Sequence, residues 1–164
     1  IQELSFDSCE EIKDTFIKLQ SLHNASVEYI METNRSCLPP FKEIADLGCV
    51  YTFDTRTGWI LANVECMVLG AQLMVNPPLE PLLQYIIKEG YSNHSQFWIG
   101  GKHYDNWRWL NSEIITEGWA EGEPDINTSS ACVYFFYYGT GGLLYDQPCD
   151  HDKMFICEIP TKVT

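Results

Sequence analysis

Trp59-Ile-Leu-Ala62-Asn-Val-Glu-Cys66-Met-Val-Leu-Gly70-Ala-Gln-Leu73 is the stretch on which the fold turns. Within it Ile60, Val64, Met67 and Val68 recur at spacings of three and four. That period predicts a helix from Trp59 to Gly70, with those residues sharing a face with Cys66. Working outward, Pro77-Pro78 breaks the chain, and Leu79 to Lys88 is predicted to form a second helix that stops at Gly90. On the other side, Tyr51-Thr-Phe53 reads as a strand with Asp54-Thr-Arg-Thr-Gly58 as its turn, and Cys37 to Cys49 as a small hairpin.

Further along, Phe97-Trp-Ile99 is a short buried strand, and residues 100–130, punctuated by Gly, Pro and Asn, form a long structured loop. Cys132 to Tyr138, Leu143 to Asp146 and Met154 to Ile159 then read as strands. Helices early and strands late define an α+β domain over residues 37–164. Residues 1–36 differ. Phe16, Leu19, His23, Val27 and Ile30 follow Ile12 on one helical stripe from about Asp7 to Thr33. A lone helix cannot bury such a stripe, so it either lies on the globular domain or forms a short coiled-coil stalk.

The 164 residues carry ten Lys and Arg against twenty-three Asp and Glu, a net charge of −13. A surface of that sign repels phosphate backbones and anionic lipid, so nucleic acid is excluded as a partner. No apolar run reaches the roughly 18 residues of a membrane span. Seven cysteines stand at 9, 37, 49, 66, 132, 149 and 157, none in a C-x-x-C pair. Together with four Asn-x-Ser sequons, at Asn24, Asn34, Asn93 and Asn127, they point to a secreted glycoprotein with oxidised thiols. Ile1 opens no secretory leader, so a mature or a trimmed chain is expected. Cys9 is the odd cysteine, and an interchain bridge through it would make the chain a homodimer.

Several motifs in order resemble the C-type lectin family in its long form, over about Cys37 to Ile159. They are Trp59-x-x-Ala62 leading to Cys66, Gly70-Ala-Gln-Leu73, Trp98-Ile-Gly-Gly101, Trp107-Arg-Trp109 and Trp119. Glu123-Pro124-Asp125 follows in the loop, Leu144-Tyr-Asp146 precedes Cys149, and Phe155-Ile-Cys157-Glu158 closes the set. The resemblance implies a C-type lectin-like fold of two helices, short antiparallel sheets and a long loop. It also implies three bridges, Cys37–Cys49, Cys66–Cys157 and Cys132–Cys149, where the sequence alone allows fifteen pairings of six cysteines. Cys66–Cys157 would join the first helix to the last strand. The tryptophans are read as core.

By the same resemblance a calcium ion would sit at the loop, held by Glu123, Asp125 and Asp146, with Pro124 in a cis bond and Tyr145 at the ligand face. Hard cations take six to eight oxygens, and sugar hydroxyls can complete the set. The sequence departs from the family pattern in three places. Asp125 replaces the asparagine of the mannose-type motif, Ser130 an acid, and Tyr145 a second amide. Calcium binding is therefore expected to be weak or absent. Without a cation the clustered acids would repel and at least one pKa would rise; the alternative source of positive charge is Lys153 folding over them. Ile126, Ser130 and Ala131 stand where a second calcium would need acids, so none is expected there.

The four histidines, His23, His94, His103 and His151, show no metal or triad spacing, and Glu123 and Asp125 around a proline fit a calcium loop better than a glycosidase pair. No enzyme is expected. The resemblance implies calcium-dependent recognition of microbial surface glycans, as in the secreted lectins of invertebrate innate immunity. Against it stands a calcium-independent, protein-binding domain that acts as ligand for a receptor.

Overall fold

The computed structural model describes residues 37–126 and 128–160. The N-terminal helix, its stalk reading, Cys9, His23 and the sequons at Asn24, Asn34 and Asn127 lie outside the described residues. Contacts divide the chain into units Ile1–Leu38 and Pro39–Thr164. The second is α+β: strands β1 (Lys42–Ile44) and β2 (Gly48–Thr57), helix α1 (Trp59–Val68), β3 (Gln72–Leu73), helix α2 (Leu79–Lys88), then β4 (Gln96–His103), β5 (Trp107–Trp109), β6 (Ala131–Tyr138), β7 (Gly141–Pro148) and β8 (Lys153–Glu158).

Instead of separate short sheets, the strands share one hydrogen-bonded set in the order β1-β2-β8-β4-β6-β7, with β3 on β8 and β5 on β4. Most pairs are antiparallel, but β4 and β8 run parallel, with Phe97 opposite Met154 and Trp98 opposite Phe155. The closing strand therefore lies between the first part of the domain and the strands that carry the loop. Cys66 on α1 is bonded to Cys157 on β8, with Cα atoms 5.5 Å apart and a sequence separation of 91. Cys132 is bonded to Cys149, and Cys37 and Cys49 are disulfide-bonded too.

The helix at Trp59 forms, but its orientation corrects the sequence reading. Its buried residues are Trp59, Ala62 and Cys66, whereas Ile60, Val64, Met67 and Val68 are 48–80% exposed. Apolar residues surround this helix almost completely, so periodicity alone could not fix its phase; the disulfide and the Trp59 Nε1 bond to Ile99 O at 2.7 Å do so. Helix α2 packs Leu82, Leu83, Tyr85 and Ile86 inward and ends at Gly90, whose φ of +86° suits glycine. No described helix is long and apolar enough to cross a membrane.

Two further boundaries differ from expectation. Asp54 to Thr57 are not a turn: β2 continues through them, with a register irregularity between Phe53 and Thr57 against β8. Likewise Gly100 and Gly101 belong to β4 rather than to the loop. Glycine is required there because a Cβ on Gly100 would lie 2.7 Å from the Leu73 carbonyl, and one on Gly101 2.5 Å from Val133. Among the tryptophans, Trp59, Trp98, Trp107 and Trp109 are buried, and Trp119 packs its ring on Trp107 at 5.1 Å.

Candidate functional site

The loop after β5 holds its course through backbone bonds to the strands. Ile115 N–H donates to Trp107 O at 3.0 Å, Leu144 N–H to Gly118 O at 2.9 Å, and Ala120 N–H to Leu144 O at 3.0 Å. These contacts bring the segment from Ala120 beside β7, one residue from Tyr145-Asp146. Beyond the site, Cys149 N–H donates to Ser130 O at 2.7 Å, and the Cys132–Cys149 bridge ties β6 to the end of β7.

Asp146 is 5% exposed and pairs across the sheet with Val133. Its carboxylate accepts two loop amides, Asp125 N–H at 2.9 Å and Ile126 N–H at 3.1 Å. The Glu123–Pro124 bond is cis. Glu123, Asp125 and Asp146 each offer an oxygen within 4.8 Å of the others, the one such cluster of metal-ligand side chains among the described residues. Glu123 is half-buried, and its Oε2 is buried without a hydrogen-bond partner. Burial first, then a shared hydrogen bond with Asp146 and the negative charges of Asp146 and Asp125, push its carboxyl up to about 7. Such an oxygen calls for a proton or a cation. Three hard oxygen donors suit calcium, with the balance of six to eight ligands left to water or a bound molecule.

Lys153 does not supply the charge. It is buried, donates to Gln96 Oε1 at 2.6 Å and to Gln147 Oε1, and lies over the rings of Tyr134 at 4.2 Å and Trp98 at 5.1 Å. Burial, then the neighbouring Arg56 charge, lower its pKa to about 8. Among the described residues the ion pairs are Lys42–Glu89 and Arg108–Asp105, neither of them here.

Tyr145 stacks on Tyr134 with centroids 5.7 Å apart. Tyr134 escaped the sequence reading. It lies opposite Tyr145 in the strand register, and its hydroxyl is pushed up to about 12 by burial and then by the charge of Glu123. Strand alternation from Cys132 gives its face but not this proximity. The amides of Asp125 and Ile126 were equally invisible, since backbone donors leave no residue signature. His94 and His151 are exposed, and His103 neighbours Trp107; none joins the carboxylates. Asn93 is exposed, and its Oδ1 accepts Gly139 N–H at 2.7 Å.

Over residues 55–159 the chain matches the family model described as Lectin C-type domain. Similar solved structures include the C-type lectin domain of murine dendritic cell inhibitory receptor 2 in complex with N-glycan, at 23% identity and TM-score 0.60 over 74% of this chain and 97% of that one. Human lithostathine gives 19% identity and TM-score 0.64 over 77% and 92%. The Ca2+-independent C-type lectin SPL-2 from Saxidomus purpuratus gives 22% and 0.60 over 74% and 91%. At these identities the likeness is one of fold. None of the curated proteins matches. With the ordered motifs, the bridges and a family match over most of the chain, the conclusion is that this protein belongs to the C-type lectin domain family.

Proposed function

We propose that the chain is a secreted carbohydrate-recognition protein that binds microbial surface glycans in a calcium-dependent way, as part of innate immunity. One observation supports it most directly: the unpartnered Glu123 Oε2 beside the carboxylates of Asp125 and Asp146. Glu123, Asp125 and Asp146 would hold the ion, which when bound offers open coordination positions to neighbouring sugar hydroxyls. Those hydroxyls are donors, and the carboxylates around them are acceptors, so the missing Asn-type amides shift the polarity of recognition without abolishing it. Tyr145 stands beside Asp146 as an apolar wall for the ligand. Single shallow sites bind weakly, and pairing of two chains through the N-terminal segment and Cys9 would supply avidity.

A glycan array read with calcium and again with chelator tests the proposal, alongside melting curves in both. Sugar binding that disappears with chelator, and a melting temperature that rises with millimolar calcium, support it. Silence on every glycan, with a melting temperature indifferent to calcium, refutes it and favours the protein-binding reading, which the loss of amide donors at Asp125 and Tyr145 already motivates.

A further inference from the structure

Beside the acid cluster the outward face of β6 and β7 carries a continuous row of rings. Strand alternation puts Tyr134, Phe136 and Tyr138 on one face of β6, and the register sets Tyr145 opposite Tyr134 and Gly141 opposite Tyr138. Centroids are 5.7 Å apart from Tyr134 to Tyr145, 5.3 Å from Tyr145 to Phe136, 5.9 Å from Phe136 to Tyr138, and 5.1 Å from Tyr138 to His94. The row grows more exposed with distance from the carboxylates. Tyr134 is 6% exposed, Phe136 and Tyr145 are half-buried, and Tyr138 is 60% exposed. Because Gly141 has no side chain, nothing on β7 covers Tyr138 directly across the strand pair.

Cross-strand packing accounts for the inner rings. It does not account for a tyrosine and a histidine left in water at the far end. Aromatic faces carry a negative quadrupole and attract weakly positive C–H groups laid over them. A pyranose ring offers such C–H faces while its hydroxyls remain in water. From Tyr134 to Tyr138, β6 advances about 13 Å, longer than one sugar ring. The near end adjoins the site, since Tyr145, stacked on Tyr134 at 5.7 Å, is the immediate chain neighbour of Asp146 on β7.

We infer that this aromatic row is an extended subsite for a linear oligosaccharide whose terminal sugar engages the Glu123–Asp125–Asp146 cluster and whose following units stack along Tyr145, Phe136 and Tyr138. The inference rests on the carbohydrate reading of that cluster and deepens it, from a terminal monosaccharide to a chain of several pyranoses.

Titration calorimetry in calcium tests it, with glucose, N-acetylglucosamine, mannose and galactose and the linear oligomers of each. The protein's N-glycans are first trimmed, so that any sugar on Asn93 cannot compete. In at least one series the trimer should bind on the order of tenfold tighter than the monomer, beyond the roughly threefold statistical gain of three copies. Tyr138→Ser, on the exposed end, and Phe136→Leu should each lose that gain while leaving monomer affinity unchanged. If monomers bind and length adds nothing, or if the variants keep the gain, the platform is wrong and the carbohydrate reading stands. If no sugar of any length binds, both fall.

Discussion

Replacing Glu123 with glutamine, which keeps the side chain's shape and removes its charge, should stabilise the metal-free protein at neutral and alkaline pH. In the folded chain burial and two neighbouring carboxylates hold the Glu123 carboxyl at about 7 against an ordinary 4.5. Folding thus favours the protonated form. The stability this group contributes is fully present below pH 4.5 and is lost as pH rises through about 7. At full expression the difference corresponds to about 3 kcal/mol. Glu123 is only half-buried, and solvent screening brings the figure to about 1–2 kcal/mol.

The assay is a pair of melting curves, native and Glu123→Gln, in chelator from pH 4 to pH 8.5. Because both proteins share every other titrating group, the difference between them reports Glu123 together with its coupling to Asp146 and Asp125. The curves should coincide near pH 4 and separate above it, with the variant ahead by about 3–8 °C at pH 8. Millimolar calcium should then reverse the order, raising the native protein and leaving the variant where it was, since an ion takes the place of the missing proton. Curves that stay parallel across the whole range would refute the reasoning, because Glu123 would then be titrating as an ordinary surface acid.

Lys153, lowered to about 8 by burial, has the opposite sign: it stabilises the fold above pH 10.5, and that contribution is lost as pH falls toward about 8. Lys153→Met, which keeps the apolar stem, should flatten the melting curve across that window. Gly100→Ala places a Cβ 2.7 Å from the Leu73 carbonyl and 3.1 Å from that of Met74, and should cost about 2–4 kcal/mol in denaturant titration. By contrast Val68→Ser and Met67→Ser, on the exposed side of α1, should each change stability by less than about 0.5 kcal/mol. The homodimer proposed through Cys9 should run as a covalent pair on a gel without reductant, and Cys9→Ser should run as monomer alone.

The parts of this fold that sequence made legible are those with a single physical solution. Leu79 to Lys88 has one apolar stripe, a proline break before it and a glycine after it, so both its existence and its buried face follow. The last strands alternate or run wholly apolar and could be placed to within two residues. Where two solutions were chemically equal, sequence failed. Helix α1 is apolar nearly all round, so Ile60 and Val64 looked as suitable for the core as Trp59 and Ala62. Asp54 to Thr57 are polar because that end of β2 is exposed, not because the chain turns. Gly100 and Gly101 looked like loop because the reason for them, the close approach of the Leu73 carbonyl and of Val133, belongs to other parts of the chain. The three acids of the site were legible as residue types from the motif. The structure adds their surroundings: an orphaned oxygen on Glu123, two backbone donors on Asp146 and a lysine engaged elsewhere.

That surrounding distinguishes the roles of the three carboxylates. Asp146 spends its charge on the loop amides of Asp125 and Ile126, so it acts as a latch between β7 and the loop whatever else is bound. Backbone bonds at Gly118 and Ala120 and the Cys132–Cys149 bridge hold the same loop from either side. None of these restraints involves a cation. Ser130 and Tyr145, in place of oxygen ligands, therefore leave intact what shapes the loop. Asp125 is exposed. Of the three carboxylates, Glu123 is the one with a buried oxygen that no protein donor meets, and a folded protein keeps such an atom at a cost of about 1–3 kcal/mol. Glu123, through that one oxygen, thus favours a bound ion more than the number of acids does.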